Sequence, residues 1–125
     1  MKKTLIATLI LLSFSCKKNT VDSNPVGETV LIYPVIVMVK DLGVLPWGEA
    51  INACTALGTG WRLPTEEELR AIFANHDKIG LFVSSSYWSS TEYVIGTAST
   101  ISYPNSIQAN QNKLTSNYVR AVKTY

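Results

Sequence analysis

The chain has 125 residues, 46% apolar and 16% charged, with two cysteines and one histidine. That length supports one ordinary domain, and that balance excludes wholesale disorder, a disulfide-dense scaffold and a well-stocked zinc site. The net charge of +2 comes from the amino terminus, where Lys2, Lys3, Lys17 and Lys18 stand. From Val26 onward seven basic residues face eight acids, so no nucleic-acid partner and no heparin-like surface is expected.

Met1-Lys2-Lys3 forms a positive start, and Thr4 to Phe14 is an apolar run. Such a run has the length of a signal-peptide core and is too short to span a bilayer. It ends in Ser13-Phe14-Ser15-Cys16, which resembles a bacterial lipobox. Ser13 stands where leucine or valine is usual. The resemblance implies that residues 1–15 are a lipoprotein signal peptide and that Cys16 is the lipidation site. The membrane would then be a partner through acylated Cys16. An ordinary secretory signal is the plainer alternative. Residues 16–26 are polar, and the resemblance implies that they form a lipidated tether. Lys17 is not the aspartate of an inner-membrane retention signal, which favours the outer membrane of the cell envelope. With Cys16 acylated, Cys54 has no intrachain partner, so no internal disulfide is expected.

The domain proper is residues 27–125. Thr29 to Lys40 is rich in valine and isoleucine and interrupted by Pro34, which predicts two strands, about 29–33 and 35–40. Asp41-Leu42-Gly43 turns the chain. Pro46 to Leu57 places Trp47, Ile51, Cys54 and Leu57 on one face of a helix that Gly58 stops. Cys54 is expected to be a buried structural thiol rather than a nucleophile.

Trp61-Arg62-Leu63-Pro64 precedes Thr65-Glu66-Glu67-Glu68. Thr65 and Glu68 have the spacing of a capping box, and three glutamates complement a helix dipole. A helix over 66–75 follows, and the glutamates read as helix-start electrostatics rather than metal or catalytic carboxylates. Trp61 is expected to pack against the sheet. His76 follows the last turn, where a cation is favourable. Tyr87 to Tyr93 predicts a strand, and Asn117 to Tyr125 predicts a closing strand. Arg120 is expected to form a structural ion pair with Glu92 or Glu68.

Between Ser84 and Asn117, 19 of 34 residues are serine, threonine, asparagine or glutamine, and only Glu92 and Lys113 are charged. That mixture suits adaptable hydrogen bonding of the kind antibody paratopes use. A solvated surface hairpin is the alternative. Strands, two helices, then strands define an α+β class.

Asp41-Leu42-Gly43, Trp47-x-x-Ala50-x-x-x-Cys54, Trp61 to Leu69, Tyr87 to Tyr93 and Asn117 to Lys123 stand in a fixed order. Together they resemble the Lcl C-terminal domain family over residues 27–125. The resemblance implies a C-type lectin-like fold, with two helices packed on a mostly antiparallel sheet and a loop-rich C-terminal ligand face. Some relatives are variable target proteins of diversity-generating retroelements, and their variable stretch matches Val94 to Ser116 here. The resemblance implies a recognition module that binds a glycan or protein ligand. The expected contacts are Tyr93, Thr97, Ser99, Tyr103, Asn105, Gln108, Asn110 and Asn112. Tyr103-Pro104-Asn105 lacks the acid of a calcium triplet, so no metal and no cofactor is expected. No catalytic residue is assigned, because no nucleophile–base pair is in view. A structural envelope lipoprotein with no dedicated ligand is the competing reading.

Overall fold

In a computed structural model the described residues are 27–32 and 34–125. The expected signal peptide, lipidation at Cys16 and tether, residues 1–26, lie outside them. Two sheets share the fold. The first has the order β1 (Thr29–Ile32), β2 (Val35–Met38), β9 (Val122–Thr124), β4 (Trp61–Arg62). The second has the order β3 (Gly43–Leu45), β8 (Asn117–Val119), β5 (Ser86–Glu92), β6 (Thr97–Ser102), β7 (Gln108–Asn112). Every pairing is antiparallel except β5 with β8. Helices α1 (Trp47–Thr55), α2 (Glu66–Ala74) and α3 (His76–Ile79) complete the described elements.

The sheet divides the interior in two. Successive strand residues point to opposite faces, so neighbouring Tyr87 and Trp88 enter different cores. Tyr87 joins Leu69, Ile72 and Phe73 of α2. Trp88 joins Ala50 and Cys54 of α1 with Trp61. Trp61 is buried against the sheet as expected, in the short strand β4.

The capping box forms as the spacing predicts. Thr65 Oγ1 accepts from Glu68 N–H at 3.1 Å, and Glu68 Oε1 accepts from Thr65 N–H at 2.9 Å. Arg62 donates to both Glu68 oxygens at 2.8 and 2.9 Å. Burial pushes the Glu68 carboxyl up, but the bonds from Arg62 and Thr65 more than offset it and hold the pKa below the usual range.

Four expectations need correction. The buried face of α1 runs through Ala50 and Cys54, and Ile51 is exposed. Apolarity selects Ile51, but the small Ala50 lets the helix approach its neighbours closely. Gly43 begins a strand instead of only ending a turn. The described helices number three, because a short turn at His76–Ile79 follows α2. The closing strand is two strands, broken at Arg120 and Ala121. β8 pairs with β3 and β5, while β9 pairs with β2 and β4, so one segment serves both sheets.

Arg120 sits at that break, 1% exposed. Its ion-pair partner is Asp41, not Glu92 or Glu68. Nε reaches Asp41 Oδ1 at 2.8 Å, Nη1 the Met38 carbonyl at 3.1 Å and Nη2 the Leu81 carbonyl at 2.9 Å. Its guanidinium carbon lies 4.0 Å from the centre of the Phe82 ring. Glu92 pairs with Lys113 and Glu68 with Arg62.

Candidate functional site

The polar segment folds as the ribbon β6–β7, in unbroken antiparallel register from Thr97↔Asn112 to Ile101↔Gln108. Strand alternation sorts its side chains. Thr97, Ser99 and Ile101 share one face with Gln108, Asn110 and Asn112. Ala98 and Thr100 share the other with Ala109 and Gln111. The first is the face on which α2 packs over β5 and β6, and β7 lies beyond at the sheet edge.

The eight predicted contacts divide accordingly. Asn110 is exposed and Gln108 half-buried. Gln108 Nε2 donates to Asn110 Oδ1 at 2.7 Å, which orients the pair as one polar surface. Tyr93 is 56% exposed, and its hydroxyl donates to Glu66 Oε2 at 2.9 Å. That bond to a carboxylate raises the Tyr93 pKa. It also holds the ring in place at the start of α2.

Three more predicted residues are accessible but shape turns. Thr97 Oγ1 donates to the Val94 carbonyl at 2.8 Å, closing a turn that passes through Gly96 at φ +80°. Asn105 Oδ1 accepts from Ser102 Oγ at 2.9 Å. Asn112 Oδ1 accepts from Leu114 N–H at 2.8 Å, an Asx turn.

Two are engaged in packing, Ser99 fully and Tyr103 in part. Ser99 is fully buried, bonded to the Ser89 hydroxyl across β5 and β6. It shares a face with Asn110 but lies on the covered part of it. Tyr103 is half-buried among aromatic rings, with Phe73 at 5.2 Å and Phe82 at 5.3 Å between centroids. It closes the edge of the α2 core rather than presenting a free ring.

Sequence reasoning missed a neighbouring groove. A cavity of about 640 Å³ is lined by Pro46, Trp47, Ile51, Asn52, Lys113 and Leu114. Trp47 Nε1 donates to the Ser89 carbonyl at 2.9 Å, and Lys113 Nζ lies 4.3 Å over the indole while also pairing with Glu92. Leu114 is 84% exposed. The available signal was Lys113, the lone cation between Ser84 and Asn117, yet nothing local ties it to Trp47.

Other polar clusters are saturated. The cavity beside Asp41 and Arg120, about 380 Å³, is bordered by a guanidinium already engaged on every side. Tyr87 donates to Asp41 Oδ2 at 3.1 Å, and burial pushes the phenol pKa up. Burial likewise pushes the Cys54 thiol up to about 12, so it is protonated near neutral pH. Among the described residues no three His, Cys, Asp or Glu side chains gather as metal ligands. No helix among them is long and apolar enough to cross a membrane. The accessible amides of β7 can donate and accept neutral hydrogen bonds, and the exposed Tyr93 ring stands at the start of α2.

The crystal structure of botrocetin, a C-type lectin-like fold, superposes with a TM-score of 0.57 at 10% sequence identity. The match covers 77% of this chain and 95% of botrocetin. No family model and no curated protein matches the sequence. The class is thus defined by architecture: an α+β domain with a C-type lectin-like fold.

Proposed function

We propose that this chain is a surface-anchored recognition module. In this reading Cys16 carries the lipid anchor. A glycan or protein ligand then docks on the strip formed by Tyr93, Gln108, Asn110 and the neighbouring turns, without metal. The observation that carries the reading is the position of Gln108 and Asn110. Two uncharged amides lie on the open edge of a rigid ribbon, where no core contact requires them. Neutral amides recognise sugar hydroxyls and peptide groups alike, and the exposed Tyr93 ring offers stacking area at low entropic cost. The likeness of the ordered motifs to the Lcl C-terminal domain family supports an extracellular role, and the lipobox-like Cys16 supports an outer-membrane placement.

The test is binding of the chain to panels of glycans and of bacterial and host surface proteins. A variant with Tyr93→Ala, Gln108→Ala and Asn110→Ala serves as the comparison. The expected result is binding that survives chelation and drops at least tenfold in the folded variant. Binding that is indifferent to the three substitutions, or abolished by chelation, contradicts the reading. Incorporation of labelled fatty acid that is lost in Cys16→Ser tests the anchor separately.

A further inference from the structure

β7 is the outer strand of its sheet, and among the described residues no strand pairs with its far edge. Ladder alternation decides which of its backbone groups point outward. Ser102 N–H donates to the Ile107 carbonyl at 2.9 Å, and Lys113 N–H to the Gly96 carbonyl at 2.9 Å. Odd-numbered positions of β7 therefore bond inward to β6, and Gln108, Asn110 and Asn112 turn their backbone N–H and C=O groups outward. The Asn112 carbonyl accepts from Thr115 N–H at 3.0 Å. Among the described residues that leaves the Asn112 N–H and both backbone groups of Gln108 and Asn110 for a further strand.

Exposed edges in natural sheets are guarded by charge, proline or a bulge. Gln108-Ala109-Asn110-Gln111-Asn112 has no charge and no proline, and its register with β6 is unbroken. We propose that β7 is a self-pairing edge, to which a second copy of this chain adds antiparallel about a two-fold axis at Asn110. In that register Asn110 of one copy faces Asn110 of the other, and Gln108 faces Asn112. Each amide then meets an amide, and an amide is both donor and acceptor. The edge is therefore complementary to itself. An uncharged strand also neither repels its own copy nor steers a charged foreign peptide. Lys113, at the end of the strand, falls opposite Ile107 rather than another cation.

Directly opposed residues of antiparallel strands point to one face. Pairing would merge two five-stranded sheets and set two Gln108–Asn110 surfaces side by side. The inference rests on backbone groups and stands whether or not those surfaces bind a ligand.

Residues opposed in a hydrogen-bonded pair have Cα atoms about 5.5 Å apart, within reach of a disulfide. The full chain carrying Asn110→Cys is expected to give a disulfide-linked dimer under mild oxidation. Lys78→Cys, exposed on α3, is expected to give none. Absence of the dimer, or equal cross-linking at Lys78→Cys, overturns the proposal. A second measurement uses two differently tagged full chains purified together. Asn110→Lys in both sets like charges directly opposite and should cut co-purification at least tenfold. Mixing Asn110→Lys with Asn110→Glu should restore it. Co-purification untouched by Asn110→Lys, or no recovery in the mixed pair while both variants keep the parent circular dichroism, overturns the proposal. If either charge variant fails to fold, the Asn110→Cys cross-link alone decides.

Discussion

Glu68 serves two structures at once. It closes the capping box with Thr65 and binds Arg62 through both oxygens. Its folded pKa is lowered, so its contribution is present above the ordinary carboxylate range and lost as pH falls through the folded value. Glu68→Gln should therefore flatten the loss of unfolding free energy between neutral and acid pH, as measured by denaturant titration at several pH values. An unchanged pH profile would exclude Glu68 as a source of acid sensitivity. Thr65→Ala, which removes only the cap acceptor, should cost about 1 kcal/mol at neutral pH. This site was legible in the sequence because Thr65 and Glu68 are three residues apart. The Arg62 bond spans six residues, and no capping or helix spacing predicts it.

Ser99 and Asn110 teach the complementary lesson. Both were expected at the ligand face from composition, and they stand directly opposite each other in the ribbon. One is buried and one exposed, because α2 packs over β5 and β6 while β7 lies beyond at the edge. Period-two alternation tells which residues share a face. It does not tell where on that face a helix ends.

At the scale of elements, the closing segment shows why local pattern underdetermines topology. Asn117 to Tyr125 reads as one strand, but β8 and β9 lie in different sheets. The break at Arg120 is held by Asp41, 79 positions away along the chain. No short-range spacing could pair them. Removing Asp41 leaves a buried guanidinium without its counter-charge. Asp41→Ala should cost about 3 kcal/mol in denaturant unfolding, the lower end for breaking a buried pair since the carboxylate is partly exposed. A loss under about 1 kcal/mol would mean that the Met38 and Leu81 carbonyls suffice for Arg120. The strands from Thr29 to Met38 and the first two helices were legible, because each has a strong local period or cap. The strand at Gly43–Leu45 was not, because three residues carry too little pattern and its order comes from pairing with β8.

At the scale of the whole molecule, helix packing lies over β5 and β6, while exposed polar side chains lie on the edge strand β7. Two cores flank the central sheet, one under α2 and one under α1. The C-type lectin-like architecture follows from that division, although at 10% identity to botrocetin no shared sequence advertises it. The proposed ligand strip includes the edge strand β7, whose Gln108 and Asn110 belong to neither core cluster. Stability and recognition should therefore separate by position.

A positional substitution scan of the displayed chain, read once for folded yield and once for capture on the ligand identified in the panel, tests that separation most directly. Substitutions at Tyr93, Gln108 and Asn110 should leave folded yield within twofold of the parent and reduce capture at least tenfold. Ser99, Tyr103 and Arg120 should lose both together. Folded yield that collapses at Gln108 and Asn110, or capture lost only through folded yield across the whole chain, would contradict a dedicated recognition strip.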